Sequence, residues 1–232
     1  MSPRDLPPPL PPEHRTVGQL VAETIRLYGR RFLPALPLGL PLALSDLLSS
    51  GGPTLQRIVV LLAFSPFFSA AFTWAAALAA GKRLPPRRFA LAVALGSLVF
   101  VPAALLFPWF ALAAVAWLAL AGLAVPVLVF EDVTPGAALR RAFGLARADY
   151  VHAVGSLATL VVVFVLTRLA LAFLLRSQAD NTIRAAIFLA DVVVSPLLYL
   201  GAALLYVDQA ARQRLKLETR PAPRARRRRV RQ

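Results

Sequence analysis

Residues 151–175, VHAVGSLATLVVVFVLTRLALAFLL, are followed by a polar link, RSQADNT (176–182), and by a second apolar run, IRAAIFLADVVVSPLLYLGAALLYV (183–207). Each run has 25 residues. A helix rises about 1.5 Å per residue and needs about 20 residues to cross a hydrocarbon core. A seven-residue link permits only a direct return, so the pair reads as two antiparallel membrane helices. Four more apolar stretches precede them, at 32–48, 58–80, 89–107 and 109–130. The sequence therefore predicts an all-α, polytopic membrane protein with six transmembrane helices.

The connections set its direction. If the N-terminus is cytoplasmic, the N-terminal segment contributes five Lys and Arg residues, the 81–88 loop four, the 131–150 segment three and the C-terminal tail ten. That makes 22 inside against three outside, Arg57, Arg176 and Arg184. Such an asymmetry is what the positive-inside rule requires of six spans with both termini cytoplasmic. Tyr28, Tyr150 and Tyr206 fall at inner span ends and Trp109 at an outer one, as interfacial aromatics do. The expected location is the plasma (inner) membrane. The preponderance of Arg over Lys, with abundant Ala, Leu and Pro, suggests a bacterial source.

Composition limits the chemistry. Of 232 residues, 58 % are hydrophobic, so one membrane domain accounts for nearly the whole chain. Residues 1–15 lack an apolar core, and the first span is expected to direct insertion without a cleaved signal. There is no Cys, which excludes disulfides and thiolate chemistry. The only two histidines, His14 and His152, cannot form a His-rich metal site. No cofactor is expected. The net charge of +15 invites a nucleic-acid reading, yet the tail RPAPRARRRRVRQ (220–232) has no aromatic residues to stack on bases. Attraction to anionic lipid headgroups fits it better, at about 1 kcal/mol per arginine near the surface. Arg226, Arg227, Arg228 and Arg229 lie in this tail.

The expected domains are a disordered Pro-rich cytoplasmic arm at 1–15, a six-span membrane domain at 16–219 and a disordered Arg-rich cytoplasmic tail at 220–232. Six prolines between 3 and 12 favour an extended polyproline-II arm; both a plain leader and a docking peptide are compatible with it.

Two segments carry the helical period of interfacial amphipathic helices. In TVGQLVAETIRLYGRRF (16–32), Val17, Val21, Ile25, Tyr28 and Phe32 line one side, with Thr16 and Gln19 spaced as a capping box. Arg26, Arg30 and Arg31 would face lipid headgroups. A cytoplasmic extension of the first span is the competing reading. In TPGAALRRAFGLARADY (134–150), Leu139, Ala142, Phe143, Ala146 and Tyr150 form the stripe, opposite Arg140, Arg141 and Arg147. Thr134 suits the N-cap and Pro135 the first turn. Offset by 118 residues, the two segments share T-x-G and several apolar positions. Internal duplication and a common interfacial role both explain this.

Charged residues inside the spans are Asp46, Arg168 and Asp191. Each costs at least about 2.5–3.5 kcal/mol in mid-bilayer and needs a partner or water. Arg168 and Asp191 lie at similar depths from the outer surface, about 10 and 12 Å by helical rise. A pair between the last two spans is therefore expected, with Asp46 able to join. It would serve as a structural clamp or as a proton-coupled or anion-binding site. Glu131 and Asp132 are adjacent at the inner end of span four and would place charge at the following helix N-terminus; two carboxylates could also hold a cation, but no further ligands are near in sequence. No P-loop, G-x-S-x-G or H-E-x-x-H pattern occurs, so no enzyme activity is expected. Prolines 34, 37, 41, 66, 102, 126 and 196 punctuate every span but the fifth.

Three pieces carry a family resemblance: TVGQLVAETIRLYGRRFLPAL (16–36), PVLVFEDVTPGAALRRAFGLARADY (126–150) and SPLLYLGAALLYVDQAARQRLKLE (195–218). Together they resemble the membrane domain attached to some glycerophosphodiester phosphodiesterases and its stand-alone bacterial and archaeal relatives of unknown function. The resemblance covers most of 16–218 and implies a non-catalytic membrane module, with Glu131, Arg140 and Asp208 as its recurrent polar marks. The chain departs from the pattern at Ala142, where Ser is usual, and at Gln209-Ala210, where Leu-Arg is frequent. Asp208 and Arg212 are also spaced as an i,i+4 pair.

The expected function is a binding, anchoring or assembly module at the cytoplasmic face. It would engage the lipid bilayer through anionic headgroups, or an acidic membrane or cytoplasmic protein. The alternative is a small transporter or lipid translocator built on the Pro-bent helices and the Arg168–Asp191 pair.

Overall fold

Helix breaks at prolines organise the bundle. The computed structural model describes residues 11–147 and 149–218. Residues 1–10 of the expected arm, and the tail with Arg226, Arg227, Arg228 and Arg229, lie outside the described residues. Among the described residues the chain is helical and without strands, with six helical segments long and apolar enough to cross a membrane. It is a multi-pass, all-α membrane protein.

A 3₁₀ turn at Pro12–His14 precedes α1 (Val17–Arg30). The Thr16 hydroxyl accepts from the Gln19 N–H, and the Gln19 side-chain oxygen accepts from the Thr16 N–H, closing the expected capping box. The first span is not one helix: α2 (Phe32–Ala35), a 3₁₀ turn at Leu36–Gly39 and α3 (Leu40–Ser49) follow one another. Pro34, Pro37 and Pro41 each remove a backbone donor, which breaks the i→i−4 ladder. The second span is α4 (Thr54–Ala80), with Pro66 inside it. The Leu62 carbonyl that Pro66 cannot serve accepts from the Ser65 hydroxyl at 2.8 Å, so the helix continues. Gly81 ends α4 in the left-handed conformation, φ +63°, which glycine adopts without a Cβ penalty.

The third span is α5 (Pro86–Leu106). The outer turn expected at Phe107-Pro108 is longer, running through Phe110, whose N–H bonds the Leu106 carbonyl at 2.7 Å. The fourth span is split into α6 (Ala111–Ala121) and α7 (Ala124–Phe130). Pro126 has no N–H for the Gly122 carbonyl, and Val125 N–H takes it at 3.3 Å in a tighter turn. Helix α8 (Pro135–Ala146) leads to the fifth span, α9 (Tyr150–Leu174), which has no break. The sixth is split by Pro196 into α10 (Asp180–Val194) and α11 (Pro196–Glu218).

Around the bundle α3 packs on α4, α4 on α5, α5 on α6, α6 on α9, α9 on α10, and α10 back on α3. Helices α7 and α11 pack inside this ring, and α1 and α8 lie against α11. Ala and other small residues dominate the contacts, as at Ala75, Ala76, Ala124, Ala142 and Ala203, while Leu33, Leu98, Leu112 and Leu166 point outward. Hydrocarbon is as apolar as leucine, so close backbone approach rather than burial of large side chains holds such helices together.

Both amphipathic stripes are corrected in part: Tyr28, Ala142 and Ala146 are buried as expected, but the covered faces are rotated from the expected ones. In α1 the covered residues are Leu20, Thr24 and Tyr28, whereas Ile25 is exposed. In α8 they are Ala138, Ala142, Leu145 and Ala146. Leu139 and Phe143 are only half-buried. In α8 the Ala-rich face meets protein, whereas α1 is covered along Leu20, Thr24 and Tyr28.

Candidate functional site

Two polar clusters are built from different spans. The first is the intramembrane set. Arg168 on α9 places Nη2 2.5 Å from Asp46 Oδ2 on α3 and Nε 3.3 Å from Asp191 Oδ1 on α10. Its guanidinium also lies over the Phe164 ring, 5.7 Å from the centroid. One arginine thus bridges three spans. Asp191 is fully buried, whereas the Asp46 and Arg168 side chains keep about a third of their surface exposed (34 % and 27 %). Neither Asp191 carboxylate oxygen accepts a well-formed hydrogen bond among the described residues, so its contact with Arg168 is chiefly electrostatic.

The break in the sixth span adjoins this set. Pro196 cannot bond the Val192 carbonyl, and Gly39 of the first span presses against that oxygen so closely that a Cβ would overlap it. Ser195 donates its hydroxyl to the Asp191 backbone carbonyl at 2.6 Å. One residue on, the Val193 carbonyl accepts from the Tyr28 hydroxyl of α1 at 2.7 Å. Burial raises the Tyr28 pKa above its ordinary value, which keeps the phenol a donor.

The second cluster gathers the lead-in to α1, the 81–85 and 131–134 connections, Asp149 and the later part of α11 at one end of the bundle. Arg15 Nη1 meets the fully buried Asp208 carboxylate at 3.1 Å. Arg212 bonds Asp149 Oδ2 at 2.8 Å and the Arg15 carbonyl at 2.6 Å. Asp149 also caps α9 through the His152 N–H. Gln209 donates to the Asp149 carbonyl at 3.1 Å. Glu131 accepts from Tyr206 at 2.8 Å and pairs with Arg141 at 3.3 Å. Arg141 further bonds Gln213, Arg88 pairs with Asp132, and Lys82 donates to the Phe130 carbonyl at 3.3 Å.

Several sequence expectations change here. Residues 12–15 of the expected disordered arm are ordered against α11, because Asp208 needs the Arg15 charge. Asp208 and Arg212 do not form an i,i+4 ion pair: each takes a partner from another element. Glu131 and Asp132 are engaged by Arg141 and Arg88 rather than held for a helix N-terminus. Arg141, expected to face lipid, is turned to Glu131 and Gln213. Arg26 and Arg30 share Glu23. Arg31, Arg140 and Arg147 are exposed and make no ion pair among the described residues. Of the family-like marks, Glu131 and Asp208 enter the cluster and Arg140 stands outside it.

Sequence reasoning missed Arg15, Asp149, Gln209 and Gln213. The one available signal was Asp208-Gln209, where α11 turns from the apolar run ending at Val207 to a polar segment. Comparison of the chain with family models, curated proteins and solved structures finds no match.

Proposed function

We propose that the chain is a non-catalytic module of the plasma (inner) membrane, with both termini cytoplasmic. Its basic end engages anionic lipid headgroups or an acidic partner protein. On this reading it is a stand-alone counterpart of the glycerophosphodiester phosphodiesterase-type membrane domain.

One observation carries the reading. At the end where the basic connections meet, the carboxylates of Glu131, Asp132, Asp149 and Asp208 are each occupied by an arginine. Arg140 and Arg147, which flank Arg141 and Asp149 in the chain, remain exposed. Internal pairing of the acids leaves a net positive surface, and the 22-to-three distribution of Lys and Arg supports its cytoplasmic placement. Purification in mild detergent, with copurified lipids and proteins identified by mass spectrometry, tests the proposal. Retained anionic lipid or an acidic protein supports it; neither being enriched contradicts it.

A second reading, a small transporter or lipid translocator, draws on the broken sixth span beside Asp191. Discontinuous helices with buried charge are how many transporters bind solutes. A stoichiometric small solute in the same preparation would favour it.

A further inference from the structure

The middle of the bundle holds a partly open cavity of about 230 Å³, walled by α4, α5, α6, α9 and α11. It runs from Phe107, at the turn away from the basic end, inward to Leu157 and Leu205. Its wall is apolar except for Tyr199, which is only 8 % exposed and whose hydroxyl forms no hydrogen bond among the described residues. Packed interiors rarely leave voids larger than a water molecule, so a space of this size calls for an occupant.

Specific contacts fix the helices that frame this space. Trp117 on α6 donates its indole N–H to the Val99 carbonyl of α5 at 2.8 Å, and Ser69 on α4 donates to the Val93 carbonyl of α5 at 2.8 Å. The α6–α7 break at Gly122–Leu123 and the first turns of α11 form one side of the space. Small residues, Ala103, Ala104, Ala114 and Ala202, stand where larger ones would fill it. The hollow is therefore framed by the hydrogen bonds and breaks that define the spans.

We propose that this cavity binds one acyl chain of a glycerolipid from the surrounding bilayer, inserted tail first. An apolar cavity of about 150 Å³ stays dry and takes benzene. Scaling from that, 230 Å³ accommodates roughly nine chain carbons. That is the terminal part of a single acyl chain, with no room for a second chain or a headgroup. The wall offers no charged partner, which excludes a polar solute, and the bilayer supplies chains at far higher concentration than any other apolar ligand. The inference is independent of headgroup binding at the basic end.

The test uses the full chain in lipid nanodiscs containing a trace of phosphatidylcholine with a diazirine at the end of one acyl chain. After irradiation, adducts are mapped by peptide mass spectrometry. The expected result is labelling of cavity residues such as Phe100, Ala104, Leu118 and Leu198, in addition to outward residues such as Leu98 and Leu166. Ala104→Phe should lower the cavity adducts at least tenfold and leave the outward ones unchanged. Ala114→Leu serves as a second, smaller filling variant. Phosphatidylglycerol bearing the same label should give the same cavity yield, since the headgroup plays no part. Adducts confined to outward residues in the unaltered protein would overturn the proposal, whatever the variants do. Cavity adducts that survive filling in a folded variant would overturn it as well.

Discussion

The Tyr28 hydroxyl donates to the Val193 backbone carbonyl at 2.7 Å, tying the amphipathic lead-in helix to the point where the sixth span breaks. The same break lets Gly39 of the first span approach Val192 and brings Asp191 to Arg168. Helix α1 is thus part of the bundle's internal architecture, although its arginines face outward.

Tyr28→Phe keeps the ring and removes the donor, leaving a part-buried carbonyl without it. The expected loss is about 1–3 kcal/mol, read from denaturant unfolding in detergent by circular dichroism. An unchanged unfolding midpoint would mean that α1 does not brace the break.

Gly39 and Gly29 make a matched pair. A Cβ at Gly39 meets the Val192 backbone, whereas one at Gly29 meets nothing within 4 Å. Gly39→Ala should cost about 1–3 kcal/mol, as overpacking does. Gly29→Ala, inside a helix, should gain up to about 1 kcal/mol. The same unfolding assay checks both, and equal effects would contradict the close packing of the first span on the sixth.

The intramembrane cluster has one cation and two carboxylates, so its members are not equivalent. Arg168→Ala strands both acids, one of them fully buried, and should cost about 3–5 kcal/mol. Asp191→Ala leaves Arg168 paired with Asp46 and should cost clearly less. Removing all three charges should recover much of the arginine loss. Restored stability with normal lipid retention identifies a structural clamp; a folded protein that has lost a transport activity identifies a solute site. Arg168→Ala being no worse than Asp191→Ala would rule out the bridging arrangement.

Much of this was legible in the sequence because membranes constrain length and charge so strongly. Six apolar runs gave six spans, and helical rise alone put Arg168 and Asp191 at matching depths. The covered faces of α1 and α8 were legible only in part, for a physical reason. Ile25 looks like a core residue by water-based logic, yet beside a bilayer a large apolar side chain can face lipid while Thr24 meets protein. The Arg15–Asp208 contact joins residues 193 apart, with no local pattern to announce it. The cavity was hidden too, because it arises from where the breaks at Pro126 and Pro196 fall in space, which proline counting does not give.

The central claim, that the basic end holds anionic lipid, is tested most directly by lipid retention. The full chain is placed in nanodiscs of equal phosphatidylglycerol and phosphatidylcholine, extracted in mild detergent, and its bound lipids are quantified by mass spectrometry. The account predicts severalfold phosphatidylglycerol enrichment over the bulk ratio. This should fall toward the bulk ratio when Arg140 and Arg147 are changed together to Gln, and in high salt, which screens exposed charge. A bound ratio equal to the bulk ratio in the unaltered protein at low salt would contradict it.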